Sequence, residues 1–273
     1  MINSAEILDK LKRIRADHQP VVIAGVGCGL TARAAASGGA DLLAVYSTAI
    51  YRIQGLPAAL SFLPYDNAND ITFSASAAVM ANAGDVPVLF GLGVHDPRTT
   101  PEKLVNMALS LGAVGVLNEP FVGMYGHQLS NELEKSGFGF SREVELIQNA
   151  VHRGLITLGW VFNQEEAMRM VDVGTHILGI ILAITRDESG DDDQSILVDD
   201  AIQRIDSIVT NVKRIRDDII ILGHGGPLNS PAVVGEVMER THIDGIFTGS
   251  TGERFPIENG VADAVRQYKK MLG

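Results

Sequence analysis

His224 is the residue whose neighbours best equip it for chemistry: it stands in Gly223-His224-Gly225-Gly226-Pro227, directly after the apolar run Ile219-Ile220-Ile221-Leu222. An imidazole flanked by glycines is left unshielded at the end of a buried strand, free to act as acid, base or ligand. Glycine also lets backbone N–H groups approach an anion closely, because no Cβ intervenes. A second glycine-rich stop, Thr248-Gly249-Ser250-Thr251-Gly252, follows Ile243-Asp244-Gly245-Ile246-Phe247. Gly225, Gly226, Gly249 and Ser250 are therefore the expected cradle for a phosphate or carboxylate, with His224 as the proton carrier beside it. The competing role for His224 is a hydrogen bond to backbone that only orders the loop.

Three further pairs have the right types. His95-Asp96-Pro97 offers a base, with Asp96 as a metal ligand or as the cap of the following helix. Asn118-Glu119 places an amide and a carboxyl together: Glu119 is a candidate general base and Asn118 a candidate substrate contact. Tyr51-Arg52 sits in a long connection and is expected to close over an anion. Asn163 is a candidate substrate contact, although Asn163 with Glu166 three residues on also has the form of a capping box. Thr185 and Arg186 are expected at the same mouth, and the acidic segment 187–193 is read as a solvated loop without EF-hand spacing. Cys28 is read as a small core residue rather than a nucleophile.

Several chemistries are argued down. Schiff-base catalysis needs a lysine at a strand end, and none follows a strand-like run. No HxH or HExxH pattern supports a zinc hydrolase. Gly25-Val26-Gly27-Cys28-Gly29-Leu30 lacks the third glycine of a dinucleotide turn. The net charge of −11 argues against nucleic acid and anionic membrane surfaces as partners. One cysteine excludes an internal disulfide framework. No basic-then-apolar start marks a signal peptide, and no run nears the roughly 18 apolar residues of a membrane span. A cytoplasmic location is expected.

These residues need a scaffold, and the chain supplies one by repetition. Strand-like runs fall at 21–28, 41–47, 86–93, 113–118, 156–162, 176–183, 219–223 and 243–248. They are continuous in Val, Ile and Leu, as strands covered on both faces are. Helical periodicity fills 31–37, 69–83, 101–111, 141–153, 164–173, 197–216, 231–240 and 257–271. A leading helix at 4–15 is expected across the barrel bottom. Eight strand–helix units predict an α/β fold: a (β/α)8 TIM barrel, one domain over residues 1–273 with an extra N-terminal helix. The long connections after the second and fourth strands then belong to the catalytic face.

Read in order, Gly27-Cys28-Gly29-Leu30-Thr31, Tyr51-Arg52, Leu63-Pro64-Tyr65, Asp96-Pro97, Gly115-Val116-Leu117-Asn118, Phe162-Asn163-Gln164-Glu165-Glu166, His224-Gly225-Gly226-Pro227 and Glu253-Arg254-Phe255-Pro256 form a series. That series resembles the phosphoenolpyruvate hydrolase-like TIM-barrel family, also described as a signal-transduction barrel family. The resemblance implies hydrolysis or lysis of a small anionic keto acid or enol phosphate, with Mg²⁺ as the cofactor and a homo-oligomer as the assembly. The clustered acidic metal-ligand signature of mutase and lyase relatives is missing at the matching strand ends; Asp96 and Glu119 are the carboxylates that remain. The rival expectation is a barrel that senses a small metabolite without turnover.

Overall fold

The computed structural model describes residues 4–184 and 194–271. Thr185, Arg186 and the acidic segment 187–193 lie outside the described residues.

Eight parallel strands close into a barrel in sequential order. They are β1 (Val21–Val26), β2 (Leu42–Val45), β3 (Val88–Gly91), β4 (Gly115–Leu117), β5 (Ile156–Val161), β6 (Ile177–Ala183), β7 (Ile220–Gly225) and β8 (Gly245–Thr248). β8 pairs back onto β1 through Val21↔Gly245 and Ile23↔Phe247, which seals the ring. The strands are shorter than the apolar runs that announced them, except β7, which continues through His224 and Gly225 instead of stopping at Gly223.

The unbroken apolar character of these strands has a direct cause. Alternate side chains serve two cores. Ile23, Leu42, Leu89, Leu158, Ile177, Leu222 and Phe247 point inward and pack together. Leu43, Val45, Val88, Phe90 and Val116 point outward under helices, as do Leu178, Ile180 and Ile221 on the far side.

Helices α1 (Ser4–Ala16) and α2 (Gly29–Ser37) flank β1. α1 lies across the N-terminal face: its Ile7 and Leu11 join the inner core beside Val21 and Leu42. Arg15 reaches Asp244 at 3.0 Å and Lys10 reaches Asp41 at 3.4 Å, tying that helix to the start of two strands.

The two long connections are not bare loops. The first carries α3 (Ser47–Ile53), a 3-10 turn (Ala58–Phe62) and α4 (Ala68–Met80). After β3 comes α5 (Pro101–Ser110), and after β4 a 3-10 turn (Val122–Tyr125), α6 (Gly126–Lys135) and α7 (Phe140–His152). The rest of the ring is α8 (Gln164–Asp172), α9 (Gln194–Lys213), α10 (Pro231–Arg240) and α11 (Arg254–Lys269). Among the described residues no helix is long and apolar enough to cross a membrane.

Candidate active site

The inward row of side chains ends, at the C-terminal mouth, in a layer of aromatic rings and charge. Trp160 on β5 meets Phe247 on β8 with ring centroids 4.7 Å apart, and His224 on β7 with centroids 5.1 Å apart. Tyr46, just past β2, meets Phe247 edge-on at 5.7 Å. The layer is tight on the β3 side: a Cβ on Gly91 would lie 2.3 Å from Tyr46 Cβ and 3.3 Å from Glu119 Oε2. Only glycine lets those two residues stand side by side there.

Above this floor sit one guanidinium and two carboxyls, all buried: Arg52, Glu119 and Glu253. Arg52 comes from α3 and donates from Nη2 to Tyr46 Oη at 2.9 Å. The same nitrogen lies 3.4 Å from Glu253 Oε2, a charge contact without hydrogen-bond alignment. Glu253 Oε1 accepts from Gly27 N at 2.6 Å, so the residue before α11 is clamped to the end of β1. Glu119 accepts from Ser47 Oγ at 3.3 Å and from the hydroxyl of Thr48.

Burial sets the protonation of this cluster. It pushes Glu119 up to about 7, against the pull of the Thr48 hydroxyl and the Arg52 charge. It pushes Glu253 up to about 7 as well, against Arg52 and the Gly27 N–H. Burial also raises the Tyr46 phenol to about 12. For Arg52 burial works downward, but Tyr46, Glu253 and Glu119 outweigh it and the guanidinium is held charged. Burial thus brings two separate carboxyls beside one fixed cation toward their neutral forms near pH 7.

His224 is neutral in this setting. Burial lowers it to about 4, and its Nδ1 lies 2.8 Å from the Phe247 carbonyl. A carbonyl only accepts, so Nδ1 carries the hydrogen and Nε2 keeps its lone pair. The loop-ordering bond and a place in the mouth therefore coexist in one ring.

The glycine cradle is only partly available. Gly225 and Gly226 have positive φ, 74° and 55°, as only glycine adopts without strain. Yet Gly226 N–H already donates to the Ala183 carbonyl at 3.1 Å. Ser250 does line the mouth, alongside Thr48, Arg52, Glu119 and Trp160.

Other expected residues are elsewhere. Asn118 faces away from Glu119: its Oδ1 accepts from Trp160 N at 2.7 Å, and its Nδ2 donates to the Trp160 carbonyl and to the buried Glu143. All its hydrogen-bonding capacity goes into joining β4 to β5 and α7. Asn163 caps α8 by accepting from Glu166 N at 2.9 Å, while Glu166 accepts from Phe162 N. Tyr51 donates to Asp66 at 2.7 Å and staples its own connection.

His95 and Asp96 lie outside the barrel mouth, in a cleft with Phe62, Pro64 and Tyr125. Burial and the Arg142 charge lower His95 to about 4. The side chain of Arg98 holds Asp96 down at about 2, and Asn67 donates to it at 2.6 Å. Asp96 does not cap α5 either; Thr100 does, accepting from Lys103 N at 3.3 Å. Cys28 is half-buried at the start of α2 rather than in the core, 3.7 Å from the Thr31 hydroxyl.

Mg²⁺ finds no ligand set here. Among the described residues no group of three or more His, Cys, Asp or Glu is placed to hold a metal ion. Asp96 is spent on Arg98 and Asn67, and Glu119 is bound by two hydroxyls beside a guanidinium. The donor chemistry of the described mouth does not fit a divalent cation.

Glu253 and Trp160 were not among the sequence candidates, and neither were Ser47 and Thr48, which hold Glu119. Strand parity finds Trp160, since Ile156 and Leu158 point inward and Trp160 is the next inward position. Glu253 lies five residues beyond β8, and only its place in the Glu253-Arg254-Phe255-Pro256 motif marked it.

The chain is similar to known proteins along nearly all its length. It is 31% identical over 266 residues to the ToMV susceptible protein tm-1(GCR26) of Solanum lycopersicum, covering 97% of this chain and 35% of that protein. It thus spans about a third of the length of that relative. Among solved structures, phosphoenolpyruvate phosphomutase from Streptomyces platensis subsp. rosaceus superposes with a TM-score of 0.64 at 14% identity, over 99% of this chain and 88% of that one. A phosphonopyruvate hydrolase in complex with oxalate and Mg²⁺ gives 0.59 at 12% identity, over 96% and 84%. At these identities the structures show a shared barrel fold. The family described as phosphoenolpyruvate hydrolase-like matches residues 6–271, and to that family the chain belongs.

Proposed function

We propose that this barrel is an enzyme that hydrolyses or cleaves a small anionic keto acid or enol phosphate, of the phosphonopyruvate or phosphoenolpyruvate class, at its C-terminal mouth. The observation that carries this reading is a pair of unmet donors. Arg52 Nε–H and Trp160 Nε1–H are both buried without partners, and both residues line the cavity that Glu119 lines. An unmade buried hydrogen bond costs about 1–3 kcal/mol, and an anionic ligand with two or more oxygens removes that cost at both nitrogens. The names of the solved neighbours supply the substrate class.

The chain's own residues supply a consistent chemistry. Arg52 and Trp160 bind the carboxylate and the enolate oxygen, where charge grows as the bond breaks. When the C–P bond of phosphonopyruvate or the enol O–P bond of phosphoenolpyruvate breaks, water forms the new P–O bond and phosphate departs with the water's oxygen. The electron pair of the broken bond passes to the enolate of pyruvate; from oxaloacetate the departing group is carbon dioxide. Glu119, near 7, then gives its proton to the enolate carbon, and the product leaves as a keto acid. Solvent returns the proton to Glu119. His224 Nε2 accepts a hydrogen bond from the attacking water in a hydrolysis. Gly249 and Ser250 remain the candidates for the far end of the anion.

A second reading has its own support. The cavity holds only about 40 Å³, room for a water rather than a keto acid, so Phe62 and Met124 must move before a ligand enters. A mouth that closes around a metabolite also suits a sensor.

One assay separates the two. Pyruvate release from phosphonopyruvate, phosphoenolpyruvate and oxaloacetate is followed with and without Glu119→Gln. Turnover that falls at least about 100-fold in the variant, with binding retained, supports the enzyme. Binding with no product from any of the three supports the sensor and removes the enzyme.

A further inference from the structure

A second hollow lies beside the mouth, between the connection that follows β2 and the one that follows β4. It is the cleft that His95 and Asp96 line, and it holds about 710 Å³. That is the size of a small-molecule site, and its make-up is that of one: apolar walls around a few polar groups. Leu63 and Pro64 line it from the first connection, Leu129 and Leu133 from α6. These two leucines stand four residues apart on a helix that buries none of its residues, so their shared face is open to the cleft.

His95 brings unspent chemistry to this cleft. Both of its ring nitrogens are buried and neither has a hydrogen-bond partner. The ring is braced rather than bonded. Tyr125 meets it edge-on with centroids 6.3 Å apart, and Asn69 fixes the strand end that delivers it by exchanging two hydrogen bonds of 2.8 Å with Gly93. A neutral imidazole keeps one N–H, and leaving that donor unmet is costly until a ligand accepts from it. The charge around the ring favours an anion. Arg142 donates from Nε to the Val94 carbonyl at 2.6 Å and from Nη2 to the Thr99 carbonyl at 2.7 Å, and among the described residues no carboxylate neutralises it. Asp96, by contrast, is matched by Arg98 and Asn67, and at His95 the Arg142 charge outweighs it.

We propose that this cleft is a second ligand site, that it takes a small monocarboxylic acid with an aromatic or branched apolar body, and that its occupation opposes binding at the mouth. The carboxylate accepts from the His95 N–H, and the body lies against Leu63, Leu129 and Leu133. Phe62 lines both hollows. The mouth cavity holds about 40 Å³ until Phe62 and Met124 move, and the room on the other side of Phe62 is the cleft. A ligand seated there removes that room, so the two sites compete for one side chain. The same segment reaches the proposed proton donor: Ser61 Oγ and Thr48 Oγ1 are 2.6 Å apart, and the Thr48 hydroxyl donates to Glu119. By linkage the antagonism is mutual. It rests on the mouth being a ligand site; the cleft itself does not.

The test titrates phenylacetate, and phenylacetamide as its uncharged counterpart, into the full chain by calorimetry. Phenylacetate is expected to bind once per chain, at least about 10-fold tighter than phenylacetamide. His95→Phe keeps a ring beside Tyr125 and removes the unmet nitrogens, so the variant is expected to fold and to bind phenylacetate at least about 10-fold more weakly. Leu133→Trp, at a half-buried position, narrows the cleft from α6 and is expected to weaken binding as well. Trp160→Phe, which alters only the mouth, is expected to leave it unchanged. Oxalate affinity, read from Trp160 fluorescence, is expected to fall at least about 5-fold in saturating phenylacetate, and not to respond in His95→Phe. No binding at millimolar phenylacetate overturns the site, as does binding that both cleft variants leave intact. Binding lost in Trp160→Phe puts the probe in the mouth and overturns it too. Equal affinity for phenylacetamide removes the carboxylate as the recognised group. His95-dependent binding with oxalate affinity unchanged overturns the antagonism. His95-dependent binding in a chain that turns over no keto acid upholds the cleft while the enzyme reading falls.

Discussion

Arg52 Nη2 lies 3.4 Å from Glu253 Oε2, with the guanidinium 4% and the carboxylate 0% exposed. The pair joins α3, after the second strand, to the turn that follows the eighth. It also fixes the cation that the described residues place at the mouth, because Tyr46 Oη and Glu253 together hold the Nη2 edge and leave Nε free.

Removing one member of that pair strands the other charge. Glu253→Ala is expected to destabilise the chain by about 3–5 kcal/mol, and Glu253→Gln by less, because an amide oxygen still accepts from Gly27 N. Urea unfolding followed by circular dichroism checks this. Equal midpoints for wild type and Glu253→Ala would show that the pair does not form in solution.

The buried carboxyls give stability a direction in pH. Glu119 and Glu253 are raised from 4.5 to about 7, and Glu143 to about 8, so each holds its proton in the folded chain after the unfolded chain has lost it. Their contribution is present below 4.5 and is lost as pH rises through 7 to 8. His224 and His95, lowered from 6.5 to about 4, act in the opposite sense and only below 6.5. Between pH 6.5 and about 8.5 the unfolding free energy is therefore expected to fall. Glu119→Gln should flatten part of that slope. A urea midpoint that climbs across this window contradicts the assignment.

Trp160 is the chain's single tryptophan, so its fluorescence reports on the mouth alone. Oxalate, a stable anion with adjacent carboxylates, is expected to change that emission on titration. In Trp160→Phe the unmet Nε1–H is gone, and competition against a dye should show oxalate affinity about 10-fold weaker, near 1.4 kcal/mol. Unchanged affinity would place the anion elsewhere.

Asn118 and Asp96 test the division between structure and site. Asn118→Ala leaves Trp160 N and Glu143 short of partners and should cost about 1–3 kcal/mol for each orphaned group, seen as a lower urea midpoint. Asp96→Asn should leave turnover, and its response to added Mg²⁺, as in wild type. A selective loss of Mg²⁺ response in Asp96→Asn would return that residue to the site.

The barrel was legible because burial on both faces writes itself into composition. Runs such as Ile219-Ile220-Ile221-Leu222 are apolar throughout because neither parity of a barrel strand reaches water. Capping was legible for the same local reason: Asn163 and Glu166 meet within one turn, so their spacing suffices. The helices inside the long connections, α3 and α6, were missed because α3 is only seven residues long and α6 buries none of its residues.

The site was legible only in part. Asn118 and Glu119 are adjacent in sequence and similar in type, yet one knits β4 to β5 while the other faces the mouth, because successive side chains at a strand end turn to opposite sides. His95 and His224 look equally chemical in sequence; only the closed ring separates a cleft outside the barrel from its interior. Glu253 had no local signal, because its role rests on Arg52, some two hundred residues away in the chain.

By itself, then, the sequence determined what depends on near neighbours: eight strand–helix units, the Asn163 cap, the glycine-rich ends and the family. Which polar groups converge and which of them burial drives toward neutrality are set by distances between residues remote in sequence. Only the closed tertiary structure decides those distances, because desolvation and charge pairing act through space and not along the chain.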